Sequence, residues 1–328
     1  MRVILAGPRG FCAGVNMAIE SLDVAIQTFG TPIYVFHEIV HNRHVVESFR
    51  EKGALFVESL ENVPAGAIVL FSAHGVSPAV RQRAAELGIK PIDATCPLVT
   101  KVHREARRFA HEGYTIVLIG HRGHDEVVGT MDEAPHAMHL VETVADVDRL
   151  ELPSDTPVAY LTQTTLSVND AEEIIERLRQ RFSHLAGPPR HDICYATQNR
   201  QQAVRVLASE ADVVLVVGSQ NSSNSRRLQE IAADSGVAAY LIDGPQDIRK
   251  AWFHGAETVL VTAGASAPES IVQHCIDCLR EQFQARVETR SLYDERTRFP
   301  LPQPLRPAAR DGPWPRSTLG EARSTNDQ

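Results

Sequence analysis

The sequence contains no long apolar run, and this absence argues against a membrane-spanning helix. Its apolar stretches, such as VILA, AIVLF and DVVLVVG, have the length of β-strands, whereas a helix that crosses a bilayer needs about 20 apolar residues. The N-terminus MRVILAGPRGFC does not resemble a signal peptide, because its apolar run is very short and is broken by Gly-Pro-Arg-Gly. We therefore expect a cytoplasmic protein that does not bind membranes.

Clusters of basic residues and a dense set of cysteines are also missing. Lysine and arginine are scattered and the formal net charge is −8, so a broad nucleic-acid surface is not expected and an anionic ligand must be held by local groups. Five cysteines in 328 residues do not form the disulfide framework of a secreted protein. A P-loop and a G-x-G-x-x-G motif after a strand are absent, which argues against ordinary nucleotide binding.

Short apolar runs alternate with helical patterns along most of the chain. Helices are predicted over 15–29, 79–87, 98–111 and 270–284, and strand-like segments such as IYVFH and TIVLIG lie between helices. This alternation is typical of parallel sheets covered by helices. With 43% hydrophobic residues, the chain is long enough for a large core divided among two or three domains.

Three cysteines occupy similar places in this alternation, each shortly before a predicted helix. Cys12 and Cys96 are 84 residues apart, and Cys194 follows after another 98 residues. Polar residues also end strands at corresponding places in each unit. They are His37, His121 and Ser219, each 25 residues after its cysteine, and, at the end of a later strand, His74, Thr164 and Ser266.

These spacings predict an α/β fold of three lobes related by a rough threefold axis. In open α/β sheets, ligands bind at the carboxyl ends of the strands, so one cysteine and two polar strand ends of each lobe should face a shared centre. The predicted divisions are an N-terminal strand and first cysteine loop at 1–13, lobe 1 at 14–96, lobe 2 at 97–193, lobe 3 at 194–284, and a tail at 285–328.

The three cysteines are candidates for a metal centre. A single cysteine is usually a small buried hydrophobic residue, but these three precede helices, whose N-termini stabilise thiolates. Three thiolates can hold zinc with an open position, or an iron–sulfur cluster in which one iron lacks a protein ligand. The other two, Cys275 and Cys278, fall on the apolar face of a helix and are predicted to pack in the core.

A candidate anion pocket accompanies these cysteines. His41, His74 and His124 lie in predicted strand-end loops, and the segment SQNSSNS at 219–225 joins an apolar strand to a helix. Imidazolium groups, hydroxyls and a helix N-terminus together bind phosphate or diphosphate. The neighbouring acids Asp125 and Glu126 could each relay protons in such a pocket, and their spacing does not choose between them.

The motifs that carry these residues resemble one enzyme family. PRGFCAGV, SAHGV, DATCPLVTKVH, GHRGHDEV, QTTLSV, ICYATQNRQ, GSQNSSNSRRL and TAGASAPE follow one another over about residues 1–284. Together they are similar to 4-hydroxy-3-methylbut-2-enyl diphosphate reductases, which catalyse the last step of the methylerythritol phosphate route to isoprenoids. The resemblance implies reductive removal of the 4-hydroxyl to give isopentenyl and dimethylallyl diphosphates.

The resemblance also implies a cofactor, partners and roles for individual residues. The lobes would surround a 4Fe-4S cluster whose open iron meets the substrate hydroxyl, with ferredoxin or flavodoxin as electron donor. The implied cluster ligands are Cys12, Cys96 and Cys194. The implied proton donor is Glu126, and the implied substrate ligands are His41, His74, His124, Thr164, Ser222, Ser223, Asn224 and Ser266.

The chain departs from the family pattern in places. The family usually has proline where Asp125 stands, and Asn16, Met17 and Val128 replace charged residues that are common in it; we expect these changes to affect local electrostatics and rate. The tail holds six prolines between Pro300 and Pro315, which predicts an extended strap over the body, with disorder past Arg310.

Two other functions are compatible with three thiolates. A redox or iron sensor could use the same cluster without turnover, and a zinc hydrolase could use the thiolates with a bound water. Glu126 and the three histidines favour the reductase, because a sensor needs no proton donor beside a diphosphate pocket.

Overall fold

The computed structural model describes residues 1–306 and arranges them as three β-sheets with helices packed against them. All strand pairings in this range are parallel, as the alternation of strands and helices predicts. The predicted disorder past Arg310 concerns residues outside this range.

Two sheets have four strands each, and both are formed by consecutive parts of the chain. In spatial order, the lobe 1 sheet consists of β3 (Ala54–Val57), β2 (Ile33–Phe36), β4 (Ile68–Phe71) and β5 (Lys90–Asp93). The lobe 2 sheet has the same order of connection, with β7 (Met138–Val141), β6 (Thr115–Ile119), β8 (Val158–Thr162) and β9 (Leu185–Ala186).

The lobe 3 sheet has five strands and includes the first and the last strand of the described chain. In spatial order it consists of β11 (Ala238–Ile242), β10 (Val213–Val217), β12 (Thr258–Ala263), β1 (Arg2–Gly7) and β13 (Arg286–Ser291). The N-terminal strand and the first residues of the predicted tail therefore complete the sheet of the third lobe.

Ten α-helices lie within residues 1–306, and those predicted from periodicity begin and end within two residues of their expected bounds. Their bounds are α1 Ala13–Phe29, α2 Arg43–Glu51, α3 Pro78–Glu86, α4 Pro97–His111, α5 Asp125–Met131, α6 Val144–Arg149, α7 Val168–Arg181, α8 Tyr195–Ala208, α9 Ser223–Asp234 and α10 Glu269–Phe283. Within the described range, no helix has the length and apolar character needed to cross a bilayer.

The core consists of the apolar strands and the helix faces that cover them. All five residues of β10 are buried valine or leucine, because a parallel sheet with helices on both faces leaves no strand side for solvent. Cys275 is fully buried in this core, as predicted. The same prediction is wrong for Cys278 on the same helix, which is partly exposed.

The tail runs back over lobe 1 after β13. Leu301 and Leu305 are 4% and 0% exposed, and both pack in the core cluster that contains the apolar face of α1. The proline-rich segment up to Arg306 is thus extended except for one turn of 3-10 helix at Gln303–Leu305.

Candidate active site

Each of the three predicted cysteines is the residue immediately before a helix. Cys12 precedes α1, Cys96 precedes α4 and Cys194 precedes α8. In α4 the next residue is Pro97, which suits the first helical position because its fixed φ is helical and its missing N–H has no partner there anyway. At α8 the first-turn N–H of Thr197 donates to Sγ of Cys194 (3.4 Å).

Three equivalent hydrogen bonds place these cysteines around one centre. The backbone N–H of Cys12 donates to Ala265 (3.1 Å), that of Cys96 to Ala73 (3.0 Å), and that of Cys194 to Thr164 (3.1 Å). Each accepting carbonyl lies two residues past the end of β12, β4 or β8. Cys12 is thus fixed to a strand end of lobe 3, Cys96 to one of lobe 1 and Cys194 to one of lobe 2, as a threefold repeat predicts.

The three thiols line one cavity that is partly open to solvent. Gly14 marks how closely they approach: a Cβ placed on it would lie 2.6 Å from Sγ of Cys96 and 4.0 Å from Sγ of Cys12. A side chain at this position would fill the space between the thiols. The donor set, three thiols with no fourth, therefore fits a metal centre that keeps one position open.

Burial changes the acidity of these thiols. It raises the pKa of Cys194 to about 11 and raises that of Cys96 further, and repulsion from Cys12 adds to both. Backbone N–H groups of the helices act in the opposite direction but are the weaker influence. The predicted stabilisation by helix N-termini is thus present but outweighed by burial, and a bound cation would compensate the thiolate charge.

A polar chain leads away from Cys194. Its Sγ lies 3.2 Å from Oγ1 of Thr197, which in turn accepts a hydrogen bond from Asn224 (3.3 Å). The other side of the Asn224 amide accepts from the backbone N–H of Ala265 (2.9 Å). Asn224 therefore holds α8, α9 and the loop after β12 together at the cavity wall.

Glu126 lies in the first turn of α5 and is 3% exposed. Its two carboxyl oxygens accept from Thr164, one from the backbone N–H (2.6 Å) and one from the hydroxyl (2.8 Å). Burial raises the pKa of Glu126 to about 7, against the opposing effect of the Thr164 hydrogen bonds. A carboxyl group with this pKa can both hold and release a proton near neutral pH.

Three histidines form the wall opposite the thiols. The His41 ring stacks on that of His74 with centroids 3.9 Å apart, and His124 meets both edge to face at 5.2 and 5.8 Å. Glu38 accepts a hydrogen bond from Nδ1 of His41 (3.2 Å), and Nδ1 of His124 accepts from the backbone N–H of Glu126 (3.2 Å). These contacts fix the rings in place.

Burial disfavours protonation of two of these histidines. Burial lowers the pKa of His124 to about 4 and that of His74 well below its usual value, and nearby imidazoles add to both effects. Burial therefore disfavours the imidazolium form of both rings, because a buried cation without a counter-ion is costly. An arriving diphosphate would reverse this balance and draw protons onto the rings.

Lobe 3 adds hydroxyl and amide groups to the same wall. Ser222 precedes α9 and its Oγ accepts from the N–H of Ser225 (3.3 Å), while the hydroxyl of Ser266 donates to the carbonyl of His41 (2.9 Å). Ser223 accepts a hydrogen bond from Thr165 of lobe 2 (3.1 Å). The first turn of α9 therefore points its N–H groups at the space that the histidines border.

Asp125, where the family usually has proline, lies just outside this wall. Its carboxylate accepts a hydrogen bond from Nδ1 of His37 (2.9 Å) and stands 3.9 Å from Nδ1 of His74. This contact raises the pKa of His37. Asp125 therefore adds a negative charge beside the histidines.

All twelve residues predicted for the site line this single cavity. They are Cys12, His41, His74, Cys96, His124, Glu126, Thr164, Cys194, Ser222, Ser223, Asn224 and Ser266. The first set of polar strand ends behaves differently. His37 contacts Asp125, Ser219 hydrogen-bonds to Asp243, and His121 borders a neighbouring pocket.

Sequence reasoning missed a buried arginine that ties together distant segments near the cysteines. Arg200 is 0% exposed and donates to the carbonyl of Gly10 (2.8 Å) and to Glu295 of the tail (3.1 Å). Glu295 also accepts from Asn199 (3.0 Å). The only sequence signal was the position of Arg200 two helical turns after Cys194.

The fold and the cavity define a class: a three-lobed α/β protein with three thiols, a buried carboxyl group and a cluster of histidines and hydroxyls in one cavity. Comparison with known proteins identifies the family. The sequence profile of the LytB protein family matches residues 3–280. The chain is 61% identical to the 4-hydroxy-3-methylbut-2-enyl diphosphate reductase of Rhodopirellula baltica over 93% of this chain and 96% of that protein. With the Azotobacter vinelandii reductase of the same name, identity is 55% over 95% of this chain and all of the relative.

A solved structure agrees with these matches. The E-1-hydroxy-2-methyl-but-2-enyl-4-diphosphate reductase of Plasmodium falciparum superposes with a TM-score of 0.91 at 39% identity, covering 93% of this chain and 96% of that one. The chain therefore belongs to the LytB family.

Proposed function

We propose that this chain reduces (E)-4-hydroxy-3-methylbut-2-enyl diphosphate to isopentenyl and dimethylallyl diphosphates. The overall reaction consumes two electrons and two protons, breaks the C4–O bond and releases water. Family membership over most of the chain supports this function. The observation that carries it is the cavity, which combines three thiols, a buried carboxyl group and an anion-binding wall.

Cys12, Cys96 and Cys194 would hold a 4Fe-4S cluster with one iron left without a protein ligand. Such a cluster supplies electrons one at a time and an iron that binds the substrate hydroxyl. The close approach of Sγ of Cys96 and Cys12 to Gly14 supports this ligand set. The thiols must remain reduced, which suits a cytoplasmic location.

Glu126 is our candidate for the proton donor. Its pKa of about 7 leaves much of the carboxyl group protonated near neutral pH, which is the state needed to convert a leaving hydroxyl to water. Thr164 holds both carboxyl oxygens and lines the cavity itself, so it can pass a proton between Glu126 and the substrate. This pair would also deliver the second proton, to carbon.

The diphosphate would lie between the histidines and the first turn of α9. His41, His74 and His124 donate from one side, and the hydroxyls and N–H groups of the 222–224 segment donate from the other. Ser266 adds a hydroxyl from the loop after β12. Because burial lowers the pKa of His74 and of His124, diphosphate binding should be coupled to proton uptake.

The hydrocarbon part of the substrate needs a dry surface. Val15, Val40, Ala73, Leu98 and Val99 line the cavity between the thiols and the histidines. These side chains match the isoprenoid skeleton and exclude water that would compete for the protons held by Glu126. Electrons would come from a one-electron carrier protein such as a ferredoxin or flavodoxin.

Anaerobic loading of the purified protein with iron and sulfide tests this function. We expect about four irons and four sulfides per chain, a brown colour that air bleaches, and turnover of the diphosphate substrate with reduced methyl viologen. Electron paramagnetic resonance of the reduced protein should change when the substrate is added. Zinc in place of iron, or an intact cluster that leaves the substrate unreduced, would disprove the proposal.

A further inference from the structure

A second pocket adjoins the cavity and shares part of its wall. This outer pocket is bordered by His124 and Ser223, which also line the cavity, and by His121. Its charged lining consists of Arg122, Arg226, Arg227 and Glu230. The shared residues are two that we assign to the diphosphate, so the outer pocket adjoins the part of the cavity that would hold this group.

The arginines of the outer pocket differ in whether their charge is already compensated. Arg227 is engaged, with Asp170 at 2.7 Å and Glu230 at 2.9 Å from its guanidinium. Arg122 and Arg226 are exposed, and within residues 1–306 neither side chain forms an ion pair. The nearby carboxylate of Glu142 accepts from the backbone N–H of Arg122 (2.7 Å). Two guanidinium groups are thus free to meet an anion.

The positive character of this pocket also affects His121. Burial lowers its pKa first, and the charges of Arg227 and Arg226 lower it further, although Glu142 and Glu230 oppose them. The histidine therefore stays neutral at the pocket wall. Its neutrality leaves Arg122 and Arg226 as the groups that an incoming anion meets.

This local charge contrasts with the whole protein. The chain carries a formal net charge of −8, which repels a diphosphate at long range. A cleft lined by charge of the opposite sign raises the local concentration of a ligand and its association rate. An acidic protein that takes up a diphosphate gains most from positive charge at the entrance of its site.

We propose that the outer pocket is an entry site that binds the diphosphate group of the substrate before it passes into the cavity. This inference rests on the function proposed above. Arg122 and Arg226 attract and hold the diphosphate loosely, since exposed guanidinium groups are solvated and mobile. His124 and Ser223, which border both pockets, then receive it. The hydrogen bond from Thr165 to Ser223 lies at this boundary and would break as the anion passes.

The test uses the full chain with its cluster loaded, and the double variant Arg122→Gln, Arg226→Gln. The matched control is Arg104→Gln, Arg249→Gln, which removes the same charge from two exposed arginines outside both pockets. Reduced methyl viologen serves as electron donor, because a small cation is not attracted to arginines. The measurements are kcat, kcat/KM and the substrate association rate by stopped flow, each as a function of salt.

We expect the double variant to lose about tenfold in kcat/KM and in association rate at low ionic strength, with kcat unchanged. At about 1 M salt, where the Debye length is about 3 Å, the difference from wild type should nearly vanish. The control variant should match the wild type throughout.

Several results would overturn the entry site. They are an equal loss in the control, a loss that salt does not reduce, or a loss in kcat alone. A defect that appears only with a ferredoxin as donor would assign the arginines to an acidic protein partner instead. Failure of the proposed function is distinguishable, because the wild type itself would then not turn over.

Discussion

The part of the cavity formed by Cys12, Cys96 and Cys194, here called the thiol end, is built alike in each lobe. Each of these cysteines precedes a helix, and its backbone N–H donates to a carbonyl just past a strand end. The part of the cavity that we propose for the diphosphate, here called the anion end, differs between the lobes. Lobes 1 and 2 supply imidazoles, and lobe 3 supplies hydroxyls and a helix N-terminus. One metal centre can be held by three identical ligands. A substrate with a diphosphate at one end and a hydroxyl at the other requires different groups from each lobe.

The thiol end should be the less tolerant of change. We expect Cys96→Ser to prevent stable cluster assembly and to abolish substrate reduction, because one of three ligands is lost. Iron and sulfide analysis after anaerobic loading measures this. The control is Cys278→Ser on α10, which should keep both the cluster and the activity. A Cys96→Ser protein with full iron content would contradict the ligand assignment.

Glu126→Gln should separate chemistry from cluster assembly. We expect kcat to fall about 10²- to 10⁴-fold while iron content and colour stay normal. The folded-state pKa of Glu126 is raised to about 7, so ionising it costs stability as pH rises from its unfolded value towards and above 7. The amide removes this cost, and the thermal midpoint of the variant should exceed that of the wild type at pH 8 but not at pH 4. Unchanged kcat would exclude Glu126 as the donor.

His124→Phe should weaken substrate binding at the anion end and leave cluster assembly at the thiol end unchanged. Loss of one hydrogen bond to a charged group predicts a rise in KM of about 10- to 100-fold, with the cluster absorbance intact. Substrate titration of the loaded enzyme measures it, and His136→Phe on the loop before β7 is a control. If the variant cannot be loaded with iron, His124 has a structural role instead.

The pH profile of kcat/KM should report the ionisation of Glu126, the carboxyl group between the thiol end and the anion end. Because Glu126 must be protonated to donate, kcat/KM should fall above about pH 7, approaching tenfold per pH unit. In Glu126→Gln the break near pH 7 should be absent, and only the decline that follows from proton uptake by His74 and His124 on substrate binding should remain. The same slope in both proteins would assign the titration to another group.

The smallest expected change concerns Asp125, the acid beside the histidines. Its carboxylate stands 3.9 Å from Nδ1 of His74 and repels a bound diphosphate. We expect Asp125→Asn to lower KM about two- to fivefold, the effect of one partly screened charge. Steady-state kinetics at pH 7.5 measures this. A higher KM would mean that Asp125 mainly favours protonation of its neighbours.

The thiol end was predictable from the sequence, because a repeated structural unit leaves a repeated spacing. Cys12, Cys96 and Cys194 could be paired with His74, Thr164 and Ser266 on this basis, and all six line the cavity. The second periodic set does not line the cavity; it consists of His37, His121 and Ser219. Loop conformation, and not the number of residues after the cysteine, decides where these side chains point.

Much of the anion end could not be predicted from the sequence, because it depends on contacts between residues that are distant along the chain. The choice of Glu126 over Asp125 came from family resemblance, and the structure offers a physical reason: Glu126 lies against Thr164, whereas Asp125 turns towards His37. Burial lowers the pKa of His74 and of His124, and their burial depends on the packing of whole lobes. The hydrogen bonds that join Thr197, Asn224 and Ala265 cross three segments of the chain.

The contact between Arg200 and Glu295 has a consequence for how the protein matures. The arginine holds the carbonyl of Gly10 next to the first cysteine, and its carboxylate partner is located far along the chain, in the tail. During synthesis, the first cysteine loop therefore lacks its final support until residue 295 has left the ribosome. A chain truncated before that residue would keep the buried guanidinium of Arg200 without a counter-charge. We therefore expect nascent and truncated chains to incorporate iron poorly.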